Sequence, residues 1–174
     1  ILVNNAGAHG RTPMEGEDDK PWVEILHTNV LGTYYVTREA LRSMPTGGGG
    51  RIINVSSVLG RFGVPGYTAY CAAKHAVIGF TRALALEVAP RGITVNAICP
   101  GWVETEMSAR GMAQAAESLG ISADAFRAQA LAAVPIQRMI QPEEIARLVV
   151  YLASDAAAAM TGQAVNLCGG QVMS

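Results

Sequence analysis

A phenol and an ammonium stand four residues apart in the stretch GYTAYCAAKHAVIGFTRALALE, residues 66–87, where Tyr70 and Lys74 break a mostly apolar run. Residues i and i+4 of a helix share a face, so the two groups project together near the helix start. A free tyrosine, with a pKa of about 10, is a poor acid or base at neutral pH. A nearby ammonium and the positive end of a helix both favour phenolate and lower that pKa. The spacing therefore describes a tuned general acid–base group. It equally describes a surface pair with a solvated lysine, because the pattern is common by chance. Ser57 narrows the choice. It closes the apolar run RIINVSS, and a strand end meets the start of the next helix on one edge of a sheet. Its hydroxyl can thus reach the same carbonyl oxygen as Tyr70; alone it would be a cap or turn serine. Asn29, in HTNVLG, lies inside a helical stretch where asparagine is a weak former. An exposed polar position is the plain alternative.

These side chains need elements to hold them. Residues 1–4 read as an apolar strand ending in Asn-Asn-Ala-Gly, and a loop rich in Gly, Pro and charge runs to about Asp19. Apolar residues at helical spacing predict a helix over 21–44, with Pro21 in its first turn and PTGGGG (45–50) closing it. A β-branched run predicts a strand over 51–57. A helix follows over 67–89, then a strand over 92–101 closed by Pro-Gly. Two short helices occupy 104–133, split near Gly120; a helix over 141–154 has Pro142 in its first turn; a last strand covers 162–170. Continuous apolar strands alternating with helices predict an α/β fold, a parallel sheet covered on both faces. Ligands of such sheets bind beyond the carboxyl ends of the strands, where Asn4-Asn5, Ser56-Ser57 and Pro100-Gly101 fall.

Half of the 174 residues are apolar, 16% are charged and the net charge is −1. That composition suits one domain with a sizeable core. It argues against nucleic acid and an anionic membrane surface as partners, and no apolar run is long enough to span a bilayer. Cys71, Cys99 and Cys168 lack any metal-ligand spacing, which suggests reduced thiols in a cytoplasmic protein. No metal is expected. Glu143 and Glu144 read as helix-start charges, His75 as a packing or solvated side chain a hundred degrees from Lys74, and Cys71 as a small core residue.

Taken in order, NNAG (4–7), the Asn of TNV (29), INVSS (53–57), YCAAK (70–74), PGWVETEM (100–107) and LCGG (167–170) resemble the short-chain dehydrogenase/reductase superfamily, in its single-domain branch. The resemblance covers essentially the whole chain. It implies a Rossmann-type doubly wound parallel sheet, of which this chain carries the last four strands with their flanking helices. It implies NADP or NAD as coenzyme, with a slight lean to NADP. Tyr70 would give and take the proton, and Lys74 would lower its pKa and bond the nicotinamide ribose. Ser57 would orient the carbonyl, and Asn29 would hold a relay water. Asn4, Ala6 and Gly7 would pass the adenosine ribose; Pro100, Gly101, Val103 and Thr105 would wrap the nicotinamide. Residues 107–133 would form a mobile lid over the substrate. CPGWVETEM and VNLCGG look most like β-ketoacyl and polyketide ketoreductases, which points to a ketone or secondary alcohol substrate, with a 3-oxoacyl thioester first. A 3-hydroxyacyl, 3-hydroxybutyrate or cyclic alcohol dehydrogenase comes next.

Two departures bear on that reading. The family's glycine-rich phosphate loop and the residue that separates NAD from NADP do not occur here; GGGG at 47–50 follows a helix instead of opening one. The chain also opens on ILVNNAG, which reads as the middle of a buried strand. Residues 1–174 are therefore expected to be a partial dehydrogenase domain, lacking on the order of 80 upstream residues at about 30 per β-α unit. An inactive truncated or non-catalytic partner subunit is the competing reading. A Ser57–Lys74 hydrolase is a third, weakened by the absence of a nucleophile elbow. The resemblance further implies a homodimer or homotetramer built on helices 21–44 and 67–89.

Overall fold

The computed structural model describes residues 1–45 and 47–173; Thr46, inside the expected turn at 45–50, and Ser174 lie outside the described residues. Four strands, β1 (Leu2–Asn4), β2 (Arg51–Val55), β3 (Thr94–Pro100) and β4 (Ala164–Leu167), form one parallel sheet in the order β1-β2-β3-β4. The helices are α1 (Lys20–Leu26), α2 (Thr33–Ser43), α3 (Thr68–Val88), α4 (Glu106–Leu119), α5 (Ala123–Ala132) and α6 (Pro142–Ala153). The last strand is shorter than its apolar pattern. Gly162, Gly169 and Gly170 hold positive φ on either side of it, a conformation that ends pairing.

Side chains alternate across a strand, and the core divides accordingly. Ile52 and Val95 face α3 through Leu84, Ala85 and Val88, with Leu41 of α2 packed alongside. Ile53 and Ile98 face the opposite layer and meet Leu152 of α6. A third cluster joins α1 to α3, with Ile25 against Ala69 and Ala73. The sheet is thus covered on both faces, as the apolar strands require.

One expected helix is not regular. The stretch over 21–44 is α1 and α2 joined through a π-helical segment, His27–Gly32. Asn29 lies in that segment and is 1% exposed, so it is not a solvated polar position. Its Oδ1 accepts from the Ala8 N–H at 2.8 Å and its Nδ2 donates to the Ala8 carbonyl at 2.9 Å. The wider π turn coincides with a side chain turned out of the helix to grip the loop after β1. The split near Gly120 is present: Gly120 takes φ 67° at the end of α4, and Ser122 caps α5 by accepting from Ala125 N.

A line of buried polar groups ties the layers together. Asn4 Nδ2 donates to Thr37 Oγ1 and to Asn54 Oδ1, both at 2.8 Å. Asn54 Nδ2 donates to Thr81 Oγ1 at 2.9 Å, and Thr81 donates to the Val77 carbonyl at 2.8 Å. Asn54 and Thr81 are fully buried. Truncating Asn54 removes one acceptor and one donor where water cannot replace them. Asn54→Ala should lower the unfolding free energy by about 2 kcal/mol or more, read from urea unfolding; a loss under about 0.5 kcal/mol would mean the line is not structural.

Candidate active site

The carboxyl ends of β1, β2 and β3 open on one edge of the sheet, and the start of α3 returns to it. Gly66, at φ 79°, turns the chain into α3. The first turn of α3 is capped from outside, because Thr12 Oγ1 accepts from Ala69 N at 3.1 Å and the Thr68 hydroxyl donates to the Thr12 carbonyl at 2.7 Å. This seats Tyr70 and Lys74 beside the end of β2. Ser57, just past β2, accepts from Leu59 N at 3.1 Å, which leaves its own proton to donate. Ser57 and Tyr70 both line a cavity of about 470 Å³. Apolar side chains form most of its wall, including Val58, Phe62, Trp102, Met107, Leu119 and Phe126.

Lys74 lies behind the cavity. It is 5% exposed, and its Nζ donates to the Val55 carbonyl at 2.9 Å. Burial lowers its pKa to about 8. Its ammonium stands 5.5 Å from the centre of the Tyr70 ring. Burial pushes the Tyr70 phenol up to about 12, and a hydrogen bond with Ser57 opposes that rise. Desolvation is thus the largest influence on both groups in this structure.

The other expected site residues divide. Gly101 reaches the cavity. Pro100 ends β3, buried, in register with Leu167. Val103 pairs with Ile140 in an isolated bridge, and Thr105 caps α4 by accepting from Ser108 N. Asn4 gives both amide protons to the network below. Ala6 is exposed and Gly7 half-buried. A Cβ on Gly7 would sit 3.2 Å from Asn29 Oδ1 and 3.7 Å from Lys74 Nζ. Asn29 spends its side chain on Ala8. His9, Arg11 and Gln171 also line the cavity, and the sequence pattern did not single them out. For His9 and Arg11 the available signal was position, since both lie in the loop that leaves the carboxyl end of β1. His75 bonds its own helix at the Cys71 carbonyl. Each cysteine is a buried free thiol. Among the described residues no group of carboxylates, histidines and cysteines could hold a metal, and no helix is long and apolar enough to cross a membrane.

A family model described as enoyl-(acyl carrier protein) reductase matches residues 1–171. A putative ketoacyl reductase of Streptomyces coelicolor is 44% identical over 172 residues, which is 98% of this chain and 66% of that protein. The 3-oxoacyl-[acyl-carrier-protein] reductase FabG of Haemophilus influenzae is 41% identical over 174 residues, 100% of this chain and 67% of that protein. A crystal structure of a tryptophan variant of actinorhodin polyketide ketoreductase with NADPH superposes with a TM-score of 0.90 at 43% identity, covering 98% of this chain and 66% of that one. The chain spans about two thirds of the length of the relatives it matches.

The two buried groups set opposite pH dependences. Between pH 8 and 10.5 the unfolded chain keeps the Lys74 proton that the folded chain has released, so stability from Lys74 is full above 10.5 and is lost as pH falls through 8. The Tyr70 contribution is full below pH 10 and is lost as pH rises through about 12. The difference in urea midpoint between the wild type and Lys74→Met should therefore climb from pH 8 to 10.5 in favour of the wild type. A difference that stays flat over that range would show that burial does not depress Lys74.

Proposed function

The chain belongs to the short-chain dehydrogenase/reductase superfamily, in its ketoacyl-reductase branch, and on that premise we propose that it reduces the ketone of a 3-oxoacyl thioester with NADPH. The observation that carries the reading is the convergence of a protonated phenol and a serine hydroxyl in a mostly apolar cavity. Tyr70 donates its proton to the carbonyl oxygen as that oxygen gains negative charge. Ser57 donates a second hydrogen bond to the same oxygen and fixes its orientation. Burial keeps the proton on the Tyr70 phenol at neutral pH, the state that proton donation to a ketone requires. The likeness to ketoacyl reductases favours a reductase over the 3-hydroxyacyl, 3-hydroxybutyrate and cyclic alcohol dehydrogenase readings.

The residues at the sheet edge fit a nicotinamide nucleotide. Gly7 leaves bare backbone between Asn29 and Lys74. Gly101 does the same near β4, where a Cβ would lie 3.0 Å from the Cys168 Cα. Lys74 gives one of its three N–H groups to Val55, leaving two for ribose hydroxyls. Asn4, Ala6 and Gly7 would hold the adenosine side, and Pro100, Gly101, Val103 and Thr105 the nicotinamide side. When bound, the reduced nicotinamide supplies a hydride to the carbonyl carbon. Asn29 holds the water through which Lys74 exchanges a proton with solvent.

We read residues 1–174 as the catalytic part of a longer Rossmann-type domain. Its small-molecule substrate is an acyl thioester, with no nucleic-acid partner. Val23, Tyr34, Tyr35, Val36 and Leu86 are exposed on α1, α2 and α3, which supports a homodimer or homotetramer joined there. The three free thiols support a cytoplasmic location.

The test is a nicotinamide absorbance assay on the full-length protein with acetoacetyl and longer 3-oxoacyl thioesters, beside the matching enoyl thioesters. Ketone reduction with NADPH is expected, with no enoyl reduction. Tyr70→Phe should lower kcat by about 10²- to 10⁴-fold. Turnover of the enoyl thioester alone, or an undiminished rate in Tyr70→Phe, would overturn the reading.

A further inference from the structure

Residues 8–12, of which His9 and Arg11 line the cavity, form a strap pinned at both ends. Asn29 holds Ala8 by two hydrogen bonds. Thr12 is tied to the start of α3, its N–H donating to the Gly66 carbonyl at 2.7 Å and its hydroxyl accepting from Ala69 N. Between the pins, His9 and Arg11 reach α4. Arg11 Nη1 donates to Ser118 Oγ at 2.7 Å. His9 lies against Gly111, where an added Cβ would fall 2.9 Å from His9 Cε1 and 3.4 Å from Nδ1. Gly111 and Ser118 are seven residues apart, two turns along one face of α4. On its other side the imidazole meets the Tyr70 ring edge-on, with centroids 4.7 Å apart and planes at 79°.

We infer that His9 is a positioning residue: its imidazole is the spacer that fixes α4 relative to the Tyr70 phenol, and Gly111 is the bare helical position that receives it. The inference rests on the role proposed above for Tyr70. Glycine is a poor helix former, and Gly111 stands inside α4 without a positive φ to require it. The His9 ring supplies the reason. Burial, and secondarily the charge of Lys74, lower the His9 pKa, so the spacer is an uncharged ring at neutral pH. Met107, Ser118 and Leu119 of α4 form part of the cavity wall. One contact therefore sets both the width of the pocket and the burial of the proton donor.

The test uses the full-length protein and four variants: Gly111→Ala, His9→Ala, the double variant and His9→Phe. Three readouts are followed: protease cleavage within 106–132, the tyrosinate titration of Tyr70 isolated by subtracting Tyr70→Phe, and kcat and KM for a 3-oxoacyl thioester. Gly111→Ala should speed cleavage about fivefold or more and lower kcat about tenfold, although alanine is the better helix former. Adding His9→Ala should return cleavage to within about twofold of wild type. His9→Ala alone should bring the Tyr70 midpoint down from about 12 by admitting water, and His9→Phe, which keeps the ring, should restore it. Unchanged cleavage in Gly111→Ala, or a double variant no better than Gly111→Ala, would overturn the inference. A wild type that leaves 3-oxoacyl thioesters untouched would sink the proposed function instead, while cleavage and titration would still decide the spacer.

Discussion

A cation withdrawn from water must be given partners, and Lys74 takes its partner from the sheet. Its Nζ donates to Val55, the last residue of β2. Its main-chain carbonyl accepts from Ser56 Oγ at 2.8 Å. The two bonds knot α3 to the strand end through adjacent residues. Gly60 closes the knot: a Cβ there would lie 2.8 Å from both the Lys74 carbonyl and Ser56 Oγ. Tyr70 stands one turn before Lys74 and Ser57 one residue after Ser56. Their separation is consequently fixed by main chain on both sides. A soft linkage would let the phenol and the serine hydroxyl drift, and a misplacement of an ångström is costly to any reaction that needs both.

The same edge divides labour between loops and helices. Chemistry sits on the segments that leave the strands and on the first turns of α3, while α2, the rest of α3 and α6 supply the packing that holds the strands level. Loops placed on a rigid scaffold commonly carry function. Here the loop after β1 is itself braced, by an asparagine from a π-helical segment and by a threonine that doubles as the cap of α3. The π segment is a local irregularity serving a distant contact, a use such segments often have.

Tyr70, Lys74 and Ser57 were legible in the sequence because local spacing settles their placement: one helical turn for the pair, one strand-to-helix connection for the serine. The parallel sheet was legible for the same reason, since its apolar runs alternate with helical periods. Gly120 marked the break between α4 and α5 by its own conformational preference. The π segment left no trace, because one residue of register slip barely disturbs an apolar pattern. Asn29 drew notice as an oddity, but its partner could not be read from helical periodicity. That the Asn4 amide also serves the interior could not be read from its place at a strand end. His9 and Arg11 were passed over because their partners on α4 lie about a hundred residues away, as with the Arg11–Ser118 bond. The pKa directions were hidden too. Spacing shows that an ammonium is near a phenol; only depth shows that desolvation is the largest influence on both.

The strand order also bears on how the chain assembles. Among the described residues the strands pair in chain order, so none of β2, β3 and β4 must slip between two already joined. The sheet can lengthen along one side as successive segments arrive, in the order in which a ribosome delivers them. Residues up to Lys74 complete the phenol, the serine and their knot. Trp102, Met107, Phe126 and Gln171, which enclose the far side of the cavity, emerge later. The residues that make the proton donor thus leave the ribosome before those that complete its pocket.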